Sequence, residues 1–559
     1  MNAKQIAQVS IDPPAQFRGV FRSDTLARSL YAEGAGIART MPAAVAVPAD
    51  SADVATLLAW AKREGHGVIP RGSGSGMAAG AVGQGIMLDV SRFTEIGPVD
   101  AANRRIRVGC GALRGDVDAK ARDAGLRFPV DPSSGPFCTI GGMVGTNAAG
   151  ARSLRFGATR AWVTGLRCLF DDGTDAWIRR DEKAPGELPA VKRLLAALDA
   201  LVVNADAASL WHVGVRKESS GYALQAALDI RQPAGSRLVD LLVGSEGTLA
   251  VFTEVELALT PLAEATATLL ATFATLEAAT DCAGLAREAG ATACELLDRT
   301  FLDVAATGGP TGVASDADAV LLVELEGIDS SAAADQARAL AGLFRTQGAS
   351  DVTTAVDTQE EHRLWELRHA ASPILSQLGP GLRSMQFIED GCVPPANFPT
   401  YIRGVREALA RGKTAGVIFG HAGDAHAHVN PLVDVSSPGW RNRMRGILED
   451  VCALTARCGG TLAGEHGDGR LRASLLKHVW STEARAAFAN IKDAGDPSGV
   501  LNPGCKIARG SEDPLASLRH DPAAAAIDPR ARAVLDQIER ERDWARFRLE
   551  GLPDVRHAE

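Results

Sequence analysis

Two glycine-rich stretches constrain this chain more than any other feature. From Arg71 to Gly85 it reads RGSGSGMAAGAVGQG, and from Asp131 to Arg160 it reads DPSSGPFCTIGGMVGTNAAGARSLRFGATR, thirty residues with six glycines. The first stretch follows the strand-like GVIP and precedes GIMLDV, another β-prone run. Glycines directly after a buried strand let backbone N–H groups approach and hold phosphate oxygens, because no Cβ stands in the way. The spacing is neither G-x-G-x-x-G ahead of a helix nor a P-loop, whose closing Lys-Ser/Thr is absent. One such stretch alone also describes a surface loop. Two in one α/β region point to a long ligand with a pyrophosphate in its middle. Around them, AAVAVP (43–48) reads as a strand, and DSADVATLLAWAKREG (50–65) sets Val54, Leu57, Leu58 and Ala61 on one helical face behind an Asp50 or Ser51 cap. AWVTGLRCLFDDG reads as a strand entering an Asp-Gly hairpin turn.

With 559 residues the chain exceeds a single core, so two or three domains are expected. Its 46% hydrophobic content and 58 glycines describe a soluble, loop-rich, enzyme-sized chain rather than a fibrous or disordered one, and the net charge of −9 argues against nucleic acid as the main partner. The opening MNAKQIAQVSIDPPAQFRG lacks the apolar core of a signal peptide. No run of about 18 apolar residues occurs to form a transmembrane segment, and the expected location is cytoplasmic, with peripheral membrane attachment left open. Nine scattered cysteines, without a C-x-x-C pair, read as small buried hydrophobes.

The stretch GHAGDAHAHVNP (420–431) holds three of the chain's 11 histidines. VIFGH is β-prone, AGDA has turn chemistry and HAHVN alternates, so a tight strand-turn-strand is predicted. Period two puts His426, His428 and Asn430 on one face, and His421 meets His428 across the turn. Two neutral imidazoles aimed at one point suit a divalent metal. GGTLAGEHGDGR (459–470) then offers Glu465 and His466. Two histidines and a carboxylate leave open positions for substrate, the pattern of a catalytic site. Taken singly, each of these histidines is more often a surface or satisfied core residue.

PRGSGSGMAAGAV, CTIGGMVGTNAAGARSLRFG and LLVGSEGTLAVFTEVELAL (241–259), in this order, resemble the FAD-binding domain of the vanillyl-alcohol oxidase type of flavoprotein, over about Ala43 to Pro503. The resemblance implies that Arg71, Gly72, Ser73, Gly74, Ser75 and Gly76 form one cofactor loop. Pro132, Ser133, Gly141, Gly142, Thr146 and Asn147 would belong to the second. Glu246 and Gly247 would close the pocket, and Asn502 of LNPGCKI would reach back to the flavin, although Cys505 interrupts the commoner Pro-Gly-Lys run. Neither 71–85 nor 131–160 contains a histidine, so the FAD is expected to be non-covalent.

GHAGDAHAHVN and GEHGDG resemble the metal signatures of FAD-dependent D-2-hydroxy acid dehydrogenases, the group with D-lactate and D-2-hydroxyglutarate dehydrogenases and the glycolate oxidase flavin subunit. The chain is nearest to the flavin half of the fused flavin and iron–sulfur enzymes. By that resemblance His421, His428 and Glu465 hold zinc or a similar divalent ion, His466 is the catalytic base and Asn430 assists it. Oxidation of the 2-hydroxy acid sends a hydride to flavin N5 and the hydroxyl proton to His466, helped by a metal that lowers the hydroxyl pKa. Arg368, in the helical RLWELRHAASPIL (363–375), takes the place of the substrate-carboxylate arginine, which acts in catalysis by orienting the acid, and Arg383 is a second candidate. Lys217 of RKESSGYAL would lie near the flavin and Tyr222 would line the substrate pocket. MQFIEDGCVPP has Ile388 and Glu389 where several relatives carry a lysine for a second carboxylate, so a dicarboxylate substrate would lack that contact here.

The fold class expected is α+β, a two-part FAD-binding domain with a ferredoxin-like cap. Its parts are an N-terminal segment (1–42), the FAD domain (43–262), a cap with the metal motif (263–463), a return to the FAD domain (464–507) and a polar tail (508–559). The tail carries an amphipathic helix from Asp528 to Gly551, able to dock on the body or on another chain. No cysteine follows Cys505, so electrons are expected to leave to an outside acceptor: an iron–sulfur partner, an electron-transfer flavoprotein, a quinone or a cytochrome. A homodimer is left open. Two other functions remain at this stage, a metal hydrolase with a nucleotide-type substrate and a non-catalytic flavin-binding subunit.

Overall fold

The computed structural model describes residues 11–204, 209–375, 378–379, 381–510 and 512–551. Residues 1–10 of the N-terminal segment and 552–559 of the tail lie outside them.

The first half builds two sheets. Val20–Arg22, Ala44–Val47, Ile86–Asp89 and Val68–Arg71 stand side by side in that order, parallel except for the first pair. The N-terminal segment is therefore part of this sheet, since Val20 pairs with Val47. The helix Ser51–Glu64 covers the sheet through the expected face, Val54, Leu57, Leu58 and Ala61, all fully buried. Asp50 caps it by accepting from the N–H groups of Ala52 and Asp53. An antiparallel sheet follows, Ile96–Asp100, Arg105–Gly109, Val251–Ala258, Val163–Leu169 and Asp175–Arg179, the last two forming the hairpin expected around Asp172-Gly173.

The second half is one antiparallel sheet. Ala349–Ala355, Ala265–Phe273, Ala319–Gly327 and Ala293–Asp298 are neighbours in the order fourth, first, third, second along the chain, with helices Leu276–Glu288 and Ser330–Thr346 in the two crossovers. That is the ferredoxin-like arrangement. Ala293–Asp298 also pairs with Ala415–His421, so the histidine hairpin extends the same sheet. The extension is fixed by buried side chains rather than by local signals: Leu296, Ile418 and Val429 all lie in one core with the helices Phe398–Arg411 and Trp440–Arg457. Arg152, from the second glycine stretch, ties the two halves together, its Nη2 donating to Glu324 at 2.6 Å and its Nη1 to Asp131 at 2.6 Å.

After about residue 464 the chain returns to the first half. Val500 and Asn502 bracket the strand Val68–Arg71, with Val68 N donating to Val500 O and Asn502 N donating to Val68 O, both at 2.8 Å. The tail then packs on its own body. Arg39 N donates to Ser517 O and Arg519 N to Ile37 O, while Ala531 and Leu549 join Leu26, Leu30 and Tyr31 in a small core. The tail helix is shorter than the expected Asp528–Gly551. It runs from Pro529 to Glu541 behind the Asp528 cap, and Arg542 ends it in the left-handed region at φ +55°. The turn there lets Trp544, Arg548 and Leu549 fold back against the body, which a straight helix would carry past it. Among the described residues no helix is long and apolar enough to cross a membrane.

Candidate active site

The hairpin Ala415–His421 and His426–Asp434 places Phe419 opposite His428. Its turn is a short 3₁₀ segment, Ala422–Asp424, closed by Ala425 at φ +56°. Gly420 is needed before the turn: at φ +149°, a Cβ there would stand 2.7 Å from the His426 carbonyl. This close approach brings the rings of His421 and His428 to 5.3 Å between centroids.

Glu465 reaches them from a loop organised by one carboxylate. Asp390 accepts from the N–H groups of Glu465 (3.3 Å) and His466 (2.8 Å). The Nε2 atoms of His421 and His428 each lie 3.3 Å from Glu465 Oε1. Their other nitrogens are engaged, His421 Nδ1 donating to Glu295 at 2.5 Å and His428 Nδ1 to the Glu389 carbonyl at 3.1 Å, which turns both Nε2 atoms toward the shared point. Donor atoms of His421, His426, His428 and Glu465 all lie within 4.8 Å of one another. Two imidazoles and a carboxylate with oriented outer partners fit a divalent ion such as zinc. His426 Nε2 bonds Asp390 at 2.8 Å, and its buried Nδ1 has no partner among the described residues. Burial, then the charge of Lys217, pushes this histidine down to about 3, so it is neutral.

The electrostatics are those of a buried, compensated cluster. Burial would raise Glu465, but Lys217 Nζ at 2.5 Å and His421 outweigh it and hold the carboxylate well below its usual range. Burial opposes the charge of His421 too, yet Glu295 holds it up to about 9. His466 stacks on His428 with centroids 5.1 Å apart, and its Nδ1 donates to Glu389 Oε2 at 2.6 Å. Arg472 in turn grips the other oxygen of Glu389. Burial works against a charged His466, but Glu389 and Asp390 together hold it up to about 10.

These residues open into one cavity of about 670 Å³ that continues to the glycine stretches. His421, His428, Asn430, Glu465 and His466 line it, as do Arg368 and Arg383. Arg368 donates from Nε to Glu295 at 2.7 Å, so one buried carboxylate aligns both this arginine and His421. Arg383 is tied to the Leu382 carbonyl at the edge strand Leu382–Ser384.

At the far side, Gly72 to Gly76, Pro132, Ser133, Gly141, Gly142, Thr146, Glu246, Gly247 and Asn502 line the same cavity. Gly72 sits where a Cβ would meet Thr139 Oγ1 at 2.1 Å, so the two stretches interlock, whereas a Cβ on Gly76 would meet nothing within 4 Å and would protrude into the cradle. This glycine-walled trough suits a dinucleotide. Glu246 accepts from the N–H of Asp468 at 2.8 Å and from Lys506 Nζ at 3.1 Å, and Asn502 Nδ2 donates to the Glu246 carbonyl at 2.6 Å. The histidine loop, the Glu-Gly-Thr-Leu segment and the Asn502 segment are thus one network.

Three of the expected site residues lie off the cavity wall, and a fourth borders it with its side chain turned away. Arg71 borders the cavity, but its guanidinium turns inward to the carbonyls of Tyr31, Glu33 and Ala81, bracing the loop rather than facing a phosphate. Asn147, Lys217 and Tyr222 are absent from the described cavity wall. Asn147 accepts from Arg160 N, at the left-handed end of a helix. Lys217 is spent on Glu465, and Tyr222 packs on Phe488 with its hydroxyl against Thr248. Sequence reasoning missed Glu295, Asp390 and Arg472 as supports. For the two carboxylates the available signal was acids inside otherwise apolar runs, Glu295 and Asp298 in ACELLD and Glu389 and Asp390 in MQFIED.

The geometry defines a two-domain flavoprotein oxidoreductase. A family model described as "FAD binding domain" matches residues 42–178, and one described as "FAD linked oxidases, C-terminal domain" matches 262–505. A D-lactate dehydrogenase of Archaeoglobus fulgidus is 30% identical over 83% of this chain and 91% of its own. A D-2-hydroxyglutarate dehydrogenase of Escherichia coli is 27% identical over 84% of this chain but 48% of its own. Among solved structures, a 4-ethylphenol oxidase from Gulosibacter chungangensis aligns with a TM-score of 0.60 at 14% identity, over 87% of this chain and 94% of that one. The chain belongs to the FAD-linked oxidases, in the group of the D-2-hydroxy acid dehydrogenases.

Proposed function

We propose that the protein oxidises a D-2-hydroxy acid of the D-lactate or D-2-hydroxyglutarate class to the 2-oxo acid, using non-covalently held FAD and a divalent ion, zinc by its ligand set. The observation that carries this reading is the continuity of a single cavity, with the His421, His428, Glu465 and His466 cluster at one end and the glycine cradle at the other. The match of the cradle to an FAD-binding domain favours a flavin there over the nucleotide substrate of a metal hydrolase. When bound, FAD takes up the hydride from C2, and an ion on His421, His428 and Glu465 lowers the pKa of the substrate hydroxyl.

The chain's own residues do the rest. Arg368, held by Glu295, grips the substrate carboxylate and so orients C2 toward the cradle. His466 accepts the hydroxyl proton at Nε2, because Glu389 fixes the proton on Nδ1. The carboxylates alone favour the protonated imidazole; a divalent charge on its neighbours acts in the opposite direction, the one a base needs. Electrons then pass to an external acceptor, an iron–sulfur partner, an electron-transfer flavoprotein, a quinone or a cytochrome. Among the described residues the nine cysteines are all free and buried.

The test is anaerobic mixing of FAD-loaded protein with enantiomer pairs of 2-hydroxy acids. The D-acid should bleach the flavin and the L-acid should not; equal bleaching, or none with any D-acid, removes the reading. Arg368→Lys keeps a cation beside Glu295 but loses the planar two-pronged grip. Loss of one charged hydrogen bond, about 1.5–3 kcal/mol, should lower kcat/KM about tenfold or more, with FAD content unchanged.

A further inference from the structure

The C-terminal segment lies beyond both matched family models, the second of which ends at residue 505. It nevertheless walls the cavity, since Arg519, His520, Arg542 and Trp544 line it, with Arg542 over the Phe137 ring of the second glycine stretch. Behind them stands Arg548, only 3% exposed. Its Nη2 donates to the carbonyl of Ser73 at 3.2 Å, within the first glycine loop, and its guanidinium lies 5.3 Å from the Trp544 ring. Its Nε and Nη1 are buried and without a hydrogen-bond partner among the described residues. The second buried arginine of the loop, Arg71, is close enough that the two charges oppose each other, burial and Arg548 pushing Arg71 down to about 9. Asp89 and Glu33 offset part of this charge from nearby, but Asp89 is bonded to Tyr31 Oη and Glu33 to Arg39 and Arg532, so among the described residues neither guanidinium has a carboxylate in direct contact, and an anion at the loop would complete the site.

We propose that residues 519–551 are a strap for the cofactor. They close the cavity and set the Arg548 charge against the first glycine loop, so that a pyrophosphate-bearing cofactor supplies the missing counter-charge and is retained by the segment. Arg548 acts through the field and the position of the loop, as a positioning residue. FAD is the ligand on which the inference rests; the identity of the hydroxy acid does not enter.

The test uses the full chain. Apoprotein of wild type and Arg548→Met is titrated with FAD, following flavin fluorescence, and the melting temperature of each apoprotein is measured beside it. The expected result is a Kd for FAD raised about tenfold or more, with the variant apoprotein melting at the same or a higher temperature, because a buried charge with no carboxylate in direct contact has been removed. Trp544→Ala should likewise speed FAD release on dilution. An FAD Kd within about twofold of wild type overturns the proposal. So does an Arg548→Met apoprotein that melts lower or fails to fold, since the arginine then serves the fold, and so does unchanged FAD release from Trp544→Ala.

Discussion

Replacement of His466 by asparagine should slow flavin reduction by a D-2-hydroxy acid by about 10²- to 10⁴-fold, the range that general-base catalysis contributes. Asparagine can still donate to Glu389, which His466 Nδ1 holds at 2.6 Å, so the loop should keep its shape. Glu389 also keeps Arg472, and the backbone N–H of residue 466 keeps Asp390. FAD content and metal content should therefore match wild type, while anaerobic stopped-flow shows the slow bleaching. Near-normal flavin reduction would make His466 a structural partner of Glu389 and would return the proton to water.

His428→Ala should abolish metal retention and most turnover while leaving FAD bound. One of two imidazoles would be gone, and its ring also packs on Phe419 and His466, so the remaining His421 and Glu465 would be poorly supported. Removing Glu465 instead would mix two effects. Lys217 is 5% exposed and bonds Glu465 at 2.5 Å, and stranding one member of a buried ion pair costs about 3–5 kcal/mol in stability. His428→Ala is the cleaner probe, since its Nδ1 partner is a neutral carbonyl. Metal analysis, flavin absorbance and steady-state assay on one preparation check it. Full activity in metal-free His428→Ala protein would end the metal reading.

Much of this was legible in the sequence because it is local. The alternation of HAHVN and the caps at Asp50 and Asp528 depend on neighbours a few residues apart, and the structure forms each, whereas the second glycine stretch, expected as a loop, holds the helix Ile140–Thr146. What escaped is what depends on partners far along the chain. Glu295 meets His421 and Arg368, 126 and 73 positions away, and nothing around ACELLD announces either. Lys217 reads as a pocket residue until Glu465, 248 positions on, takes its charge. Arg71 begins a phosphate-type loop, yet the carbonyls that capture its guanidinium come from a helix end and turn at residues 31–33 and from Ala81. The hydrophobic stripe of the tail continues past Glu541, but the helix ends there, because the turn at Arg542 lets Leu549 pack against Leu26 and Tyr31.

The three candidate metal ligands come from two different parts of the structure. His421 and His428 hang from the cap sheet, whereas Glu465 belongs to the loop whose next residues, Asp468 and Gly469, donate to Glu246 on the cofactor wall. On the proposed reading an ion there is a rivet through two plates, and the trough on one plate is the seat of FAD. Thermodynamic reciprocity then applies: whatever factor the ion adds to the affinity for FAD, FAD must add to the affinity for the ion. Chelation should therefore raise the FAD Kd measured by titration, and loading with FAD should raise by the same factor the chelator strength needed to strip the ion.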